Sequence, residues 1–319
     1  MRMFYLITKK NMTPLFRIRA SAASLIMTDP VGKTPMEKYL EAVSTLKEKK
    51  EKWGLVPVEK RSQVRNSELK ASIDKLESEI PALEKSKETV VLGETAKSYA
   101  LQWQRGQRWN RTADFSNKYT QKGSACEEDG FDLVATLKGI MLYKNPIKLE
   151  NEWATGTPDP FNKLTGKLIN KDIKSSWDWT TFPYKSDKLD KVYEWQNMIY
   201  AWLGEEESWT TTYCLVNTPP NLLRREKERK WYDLGGPDRN SDSYVEACIE
   251  IEKRGIYDME LFLKRAADDG EPFELHCKDW KYDVPANERI MEFTTMLEME
   301  KIEALKERVI QVRKFLETQ

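Results

Sequence analysis

Two acids and a lysine near the middle of the chain have the types and spacing to act on a phosphate. Gly156-Thr157-Pro158-Asp159 closes one short β-like segment, and Asp172-Ile173-Lys174 follows thirteen residues later in the next. Side chains alternate along a strand with period two, so Asp172 and Lys174 project from one face while Ile173 turns into the core. Asn162, Thr165 and Gly166 between them have the composition of a hairpin connection, which brings Asp159 beside Asp172. Two carboxylates a few ångströms apart repel by about 4 kcal/mol at an effective dielectric of about 20, and a hard divalent cation between them removes that repulsion. An all-oxygen ligand set favours Mg²⁺ or Mn²⁺ over zinc. Such an ion would polarise a scissile phosphate, lower the pKa of a bound water and stabilise the leaving oxygen, while Lys174 orients the water or offsets negative charge.

Two helical segments add to this group. In Lys122-Gly123-Ser124-Ala125-Cys126-Glu127 a glutamate stands four residues after a glycine that allows close backbone approach, and Glu127 falls on the side of Phe131 and Val134, towards a sheet. An acid on that side with no neighbouring cation in the sequence needs a partner, which a metal supplies; Glu128 is the competing choice. Downstream, Gln196 and Tyr200 stand four apart on one helical edge beside a buried stripe of Val192, Trp195, Ile199 and Trp202. Their amide and phenol can hydrogen-bond the carboxylates or a nucleic-acid backbone. The single histidine, His276, reads as a structural or surface residue, so if the chain cuts phosphodiesters, carboxylates and a metal must do it.

The elements that position these groups follow from periodicity. A helix is expected over about 35–53, and a second charged stretch carries Leu69, Ile73, Leu76, Ile80 and Leu83 in a heptad-like stripe that Pro81 should kink or end. The two read as a hairpin appendage, with an oligomeric coiled coil as the alternative. Helical patterns follow at 95–103 and about 114–142, strands at 147–157, 167–175 and 209–216, and helices at about 190–203 and 287–316. The last carries Ile302, Leu305, Val309, Val312 and Leu316 on one side, for packing on the core or on another subunit. This divides the chain into a helical region, 1–100, a catalytic core, 101–285, and a C-terminal helix, 286–319. Between Leu101 and Lys122, Arg105, Arg108 and Arg111 stand with Lys118 and Lys122 against one acid, Asp114, among Trp103, Trp109 and Tyr119. That mixture suits phosphate tracking and base stacking, or an ordinary solvated face. The aromatic Trp177 to Pro183 run either packs on the core or forms a wedge beside a bound strand.

Lysine plus arginine equal aspartate plus glutamate at 52 each, so no global positive field exists and nucleic-acid binding must come from local clusters. Four scattered cysteines with no C-x-x-C spacing speak against zinc-ribbon and iron-sulfur sites and for free thiols in a reducing cytoplasm. The apolar run from Met3 to Ile7 is too short for a signal peptide or a membrane span.

In these residues the sequence resembles the RecB-like and lambda-exonuclease-like branch of the P-D-(D/E)-x-K nucleases, in its phage forms. Gly123 and Glu127 match the family's G-x-x-x-E helix, Gly156 to Asp159 its G-x-P-D strand, Asp172 to Lys174 its D-x-K, and Gln196 with Tyr200 its Q-x-x-x-Y. Arg19-Ala20-Ser21 is similar to its opening helix start near a DNA phosphate, which Ser21 would cap. The resemblance covers about 115–220 well, 16–27 thinly and 35–90 not at all. It implies an α/β (α+β) fold, a restriction-endonuclease-like core with a mixed central sheet flanked by helices, plus the helical N-terminal appendage. It selects Glu127 over Glu128 and implies metal ligation by Glu127, Asp159, Asp172 and the carbonyl of Ile173. It further implies an Mg²⁺-dependent DNA exonuclease, with Mn²⁺ substituting and no iron-sulfur cluster; a structure- or site-specific endonuclease on the same core and a catalytically silent DNA-binding protein are the alternatives. Its setting would be phage recombination or DNA processing in the host cytoplasm, with no membrane. DNA, a single-strand annealing or single-strand-binding protein and further copies of the chain are the partners implied.

Overall fold

Short β-branched runs between long charged helices fold into an α+β chain. A computed structural model describes residues 14–87, 91–113, 116–162, 164–270 and 272–319; Asp114 and the apolar run from Met3 to Ile7 lie outside them. The first elements are β1 (Ile18–Arg19), a 3-10 turn (Ala20–Ala22), α1 (Ala23–Ile26), α2 (Pro35–Gly54), α3 (Val64–Ser86) and α4 (Glu94–Trp109). The middle of the chain holds α5 (Lys118–Ala125), α6 (Glu127–Lys138), β2 (Leu142–Lys144), β3 (Leu149–Glu150), β4 (Ala154–Gly156), β5 (Pro160–Asn162), β6 (Lys167–Leu168) and β7 (Lys171–Ser175). After these come α7 (Lys191–Leu203), β8 (Ser208–Cys214), α8 (Pro220–Asp233), α9 (Asp242–Gly255), α10 (Met259–Asp268), β9 (Ile290–Met296) and α11 (Met299–Glu317). No described helix is long and apolar enough to cross a membrane.

The chain divides into two compact units. One comprises the described residues up to Phe16 with Leu25–Asn110 and Glu307–Gln319. Here α2 starts on a capping box, in which Thr34 accepts from the Glu37 amide and the Glu37 carboxylate accepts from the Thr34 amide. The hairpin of α2 and α3 forms as expected, tied by Lys50 to Glu77 at 2.7 Å. Pro81, however, does not end α3, which runs on to Ser86. Position 81 is exposed, so the Glu77 carbonyl that loses its helical donor faces water rather than protein.

The other unit, Arg17–Ser24 with Arg111–Lys306, holds every strand. In place of one central sheet there are three three-stranded sheets, ordered β1-β4-β3, β2-β5-β6 and β7-β8-β9. The first and third mix parallel and antiparallel pairs. The stretch expected to be one helix over 114–142 breaks at Cys126, whose φ of −111° and ψ of 12° separate α5 from α6. The break gives α6 an N-terminus of its own, and Glu127, Glu128 and Asp129 in its first turn complement the helix dipole. Gly123 does not serve close approach, since nothing lies within 4 Å of the Cβ it lacks; Gly130 does, as a Cβ there would stand 3.0 Å from Ile173 Cγ2. Ile173 duly joins Phe131, Val134, Leu142 and Cys214 in a buried apolar cluster.

Three further expectations change. Residues from Asn287 do not begin the C-terminal helix: Ile290–Met296 form β9, antiparallel to β8, because Phe293, Thr294 and Thr295 suit a pleated surface better than a helix. On α11 itself Ile302, Leu305, Val309 and Val312 are fully buried, as the stripe required. Ser21 caps nothing, because the turn starts one residue earlier, directly off β1. On α7 the buried face is not the Val192 stripe but the continuous run Gln196 to Ala201, with Val192 exposed. Polar residues are tolerated in that run because each has a partner: Asn197 donates to Thr295 Oγ1 at 3.2 Å and accepts from Thr211 Oγ1 at 3.1 Å, bracing α7 on β8 and β9.

The tightest approach in this unit is at Gly156, where a Cβ would stand 2.5 Å from Tyr200 Cε1 and 3.1 Å from Ala20 Cβ. Gly156→Ala should therefore destabilise the fold by about 1–3 kcal/mol in thermal or urea unfolding. Gly123→Ala, in open space on α5, should be neutral or stabilising by up to about 1 kcal/mol. Equal effects of the two substitutions would contradict this packing.

Candidate active site

The site grows from β7. Its parallel pairing with β8 aligns Asp172 with Thr211 and Lys174 with Tyr213, so both side chains leave the strand on one face. The Thr210 amide donates to the Asn170 carbonyl and the Ser176 amide to the Cys214 carbonyl. Backbone groups of even-numbered residues on β7 therefore point at β8, and the Ile173 carbonyl points away from it, along the open edge of that sheet.

Asp159 arrives by the expected hairpin. β5 and β6 pair Asn162 with Lys167, and Asn162 Oδ1 accepts from the Leu164 and Thr165 amides. The position of Asp159 is further fixed by Asn145, a buried residue just beyond β2. The Asn145 amide donates to the Asp159 carbonyl at 2.7 Å, and its side chain donates to the Pro158 carbonyl at 3.0 Å.

Lys174 Nζ joins the two acids: it donates to Asp172 Oδ1 at 2.8 Å and lies 3.6 Å from Asp159 Oδ2. Gln196 Nε2 reaches Asp172 Oδ1 at 3.3 Å and Tyr200 Oη at 3.1 Å, and the Tyr200 hydroxyl donates to the Thr157 carbonyl at 3.1 Å. Thus Asp159, Asp172, Lys174, Gln196 and Tyr200 form one network. Glu127 is not part of it: Oε2 of Glu127 pairs with Lys144 Nζ at 2.5 Å. The cation that the sequence around Glu127 did not offer is thus supplied by β2. Among the described residues no three carboxylate, histidine or cysteine side chains converge closely enough to hold a metal ion.

Asp172 has no exposed surface, and its Oδ2 has no hydrogen-bond partner among the described residues. Burial pushes its carboxyl up to about 7; the Lys174 ammonium pulls it down, and the Asp159 charge pushes it up again. On Lys174 burial works against the charge, but Asp172 and Asp159 outweigh it and hold the ammonium well above its usual range. A simple ion pair would lower its acid while raising its base, and here both rise. The direction for Asp172 follows from geometry, because one ammonium shared between two acids leaves Oδ2 unserved. Tyr200 is also raised, by burial first and then by the charge of Asp172.

The remaining candidates sit apart from this network. Arg19 is exposed on β1, in register with Thr155 one residue before Gly156, and Ser21 is exposed in the following turn. Arg105 and Arg108 are exposed on α4, and Arg111 is exposed just beyond its left-handed cap at Asn110. Trp177 is buried and edge-on to Tyr119, and its carbonyl accepts from the buried Lys122, so it packs on the core; Trp179 and Tyr184 stay exposed. His276 is structural as expected: its amide and ring both bond the buried Glu252, which also accepts from Lys227.

Together these features define a nuclease-like α+β fold with an acid-lysine-acid network at the edge of one sheet. Among solved structures the chain is similar to a phage-related exonuclease from Haemophilus somnus 129PT, with a TM-score of 0.55 and 22% identity over 95% of this chain and 94% of that one. A more distant likeness is to LHK-Exo, an alkaline exonuclease from Laribacter hongkongensis, with a TM-score of 0.42 and 12% identity over 72% of this chain and 83% of that one. No family model matches the sequence, and no curated protein does.

The raised carboxyl has a consequence for stability. An acid that titrates higher in the folded protein than in the unfolded chain binds its proton more tightly when folded. Its contribution to stability is then full below the ordinary aspartate value of 3.8 and is lost as pH rises towards about 7. In metal-free buffer, Asp172→Asn should raise the melting temperature at pH 8 by at least about 2 °C. That gain should shrink as pH falls towards 4. A gain independent of pH, or a loss at pH 8, would show that Asp172 is not a strained buried acid.

Proposed function

We propose that this protein is a metal-dependent deoxyribonuclease that hydrolyses phosphodiester bonds of linear DNA from an end. The observation that carries this reading is the unpartnered Oδ2 of a fully buried Asp172, beside a second acid and a shared lysine. Exposing an ionised carboxylate to no donor costs several kcal/mol, roughly, unless a cation completes it. The donor set fits Mg²⁺, with Mn²⁺ as substitute: Asp159, Asp172 and the outward-facing Ile173 carbonyl are hard oxygen donors, and Glu127 is a further acid in the same unit. The fold shared with a phage-related exonuclease supports DNA and an end-directed mode over other phosphodiesters.

When bound, the ion supplies Lewis-acid polarisation and charge neutralisation at the scissile phosphate. The chain's own residues do the rest. Lys174, already held charged, places an ammonium where negative charge develops on the phosphoryl oxygens. Gln196 fixes the rotamer of Asp172 by its bond to Oδ1 and is itself held by Tyr200, which leaves Oδ2 free of donors among the described residues, for a cation. Arg19 and Ser21 flank the same strand end as Asp159 and are proposed to contact backbone phosphates. Arg105, Arg108 and Arg111 are likewise proposed to bind DNA phosphates, each as an exposed arginine. The biological setting proposed is phage recombination or DNA processing in the host cytoplasm, with a single-strand annealing or single-strand-binding protein and further copies of this chain as partners.

The test is release of nucleotides from end-labelled linear duplexes, with closed circles as control, in Mg²⁺, Mn²⁺ or chelator. Linear substrate should be degraded only with metal and circles should resist. Lys174→Ala should lower turnover by about 10² to 10³ with DNA binding nearly intact, measured at a temperature where the variant, destabilised by the loss of the Asp172 partner, is still folded. Cleavage of circles would make the enzyme an endonuclease, and turnover above about a third of wild type in Lys174→Ala would remove Lys174 from the site.

A further inference from the structure

Glu127 and Lys144 form an ion pair that nothing in their local sequence requires. Lys144 ends β2, directly opposite Pro160 in the antiparallel ladder, which puts its backbone beside that of Asp159. Its ammonium meets Glu127 Oε2 at 2.5 Å, and its charge is favoured first by the hydrogen bond to Glu127 and further by the charge of Asp159. Ion pairs thus join Lys144 to Glu127 and Lys174 to both Asp159 and Asp172, and the ladder sets the backbone of Lys144 beside that of Asp159 between the two groups. The two ammonium groups differ in freedom: Lys174 is packed among Asp172, Asp159 and the Tyr193 ring, whereas Lys144 keeps 68% of its side chain exposed. The Lys144-Glu127 pair lies in the wall of a cleft of about 1040 Å³, so the ammonium can leave without backbone movement.

We propose that Lys144 is a resident counter-ion of Glu127, a positioning residue that holds the third carboxylate away from Asp159 and Asp172 until a divalent cation displaces it. The inference rests on the metal site proposed above. It explains how a helix and two strands can carry three acids to one region although no three of them converge. An exposed lysine suits this role because it is easily outcompeted: exposed ion pairs of this kind contribute little, and a divalent ion brings twice the charge with no side-chain entropy to lose. The displaced ammonium remains in the cleft wall, on the side from which a polyanion would approach.

The experiment is calorimetric titration of Mn²⁺ into the full chain, without DNA, for wild type, Lys144→Gln, Lys144→Arg, Glu127→Gln, the Glu127→Gln/Lys144→Gln double variant and Asp172→Asn. Removing the competitor should tighten Mn²⁺ binding about two- to fivefold in Lys144→Gln, the range expected for freeing an exposed ion pair. Lys144→Arg, which keeps the pair, should bind as wild type does. In the Glu127→Gln background Lys144→Gln should add nothing, because the partner through which it acts is gone. Weaker or unchanged binding in Lys144→Gln overturns the inference, as does the same tightening in the Glu127→Gln background, which would be a through-space charge effect. Loss of binding in Asp172→Asn with none of these Lys144 effects leaves the site reading standing and the counter-ion role refuted. Absence of Mn²⁺ binding in wild type refutes both.

Discussion

An acid with no exposed surface has to be stabilised by whatever the fold places around it, and the structure arranges itself about Asp172 for that reason. One oxygen is served twice, by the ammonium of Lys174 and the amide of Gln196, and the other by nothing among the described residues. A folded protein keeps such a charge at a cost in stability. That cost is tolerable where the missing partner is a ligand, and strain of this kind concentrates at functional sites.

Much of the surrounding packing serves to hold this arrangement rigid. Gly130 lets α6 close on Ile173, which locks β7 from behind, and Gly156 lets Tyr200 press against β4 while its hydroxyl reaches the Thr157 carbonyl. Asn197 ties α7 to the two strands beyond, and so Gln196 cannot drift from Asp172. Asn145 pins the Pro158 and Asp159 backbone from the side of β2. Each device is a buried polar group with a partner or a glycine with a neighbour. The one buried oxygen in this network left without either belongs to Asp172.

The parts of this that were legible in the sequence are those set by short-range rules. Period-two alternation placed Asp172 and Lys174 on one face with Ile173 in the core, turn chemistry brought Asp159 across, and four-residue helical spacing paired Gln196 with Tyr200. What was not legible depends on contacts distant in the chain. Lys144 is seventeen residues from Glu127 and meets it because β2 folds back along α6. The end of α5 at Cys126 is invisible to periodicity, since the pattern runs on through it, and the break depends on a thiol buried in the core between α6 and β7. β9 was hidden by its own continuity with α11, although Thr294 and Thr295 beside Phe293 carried a strand signal. Gly123 had the motif spacing and Gly130 the contact, which only three-dimensional packing distinguishes.

The central claim is that the empty side of Asp172 is a cation site. The most direct measurement is anomalous diffraction from crystals of the full chain soaked in Mn²⁺, for wild type and Asp172→Asn. The account predicts a single strong peak within about 2.5 Å of Asp172 Oδ2 and of an Asp159 oxygen, facing the Ile173 carbonyl, and its loss in the variant. A crystal that binds Mn²⁺ elsewhere, or a peak that survives Asp172→Asn unchanged, would contradict it.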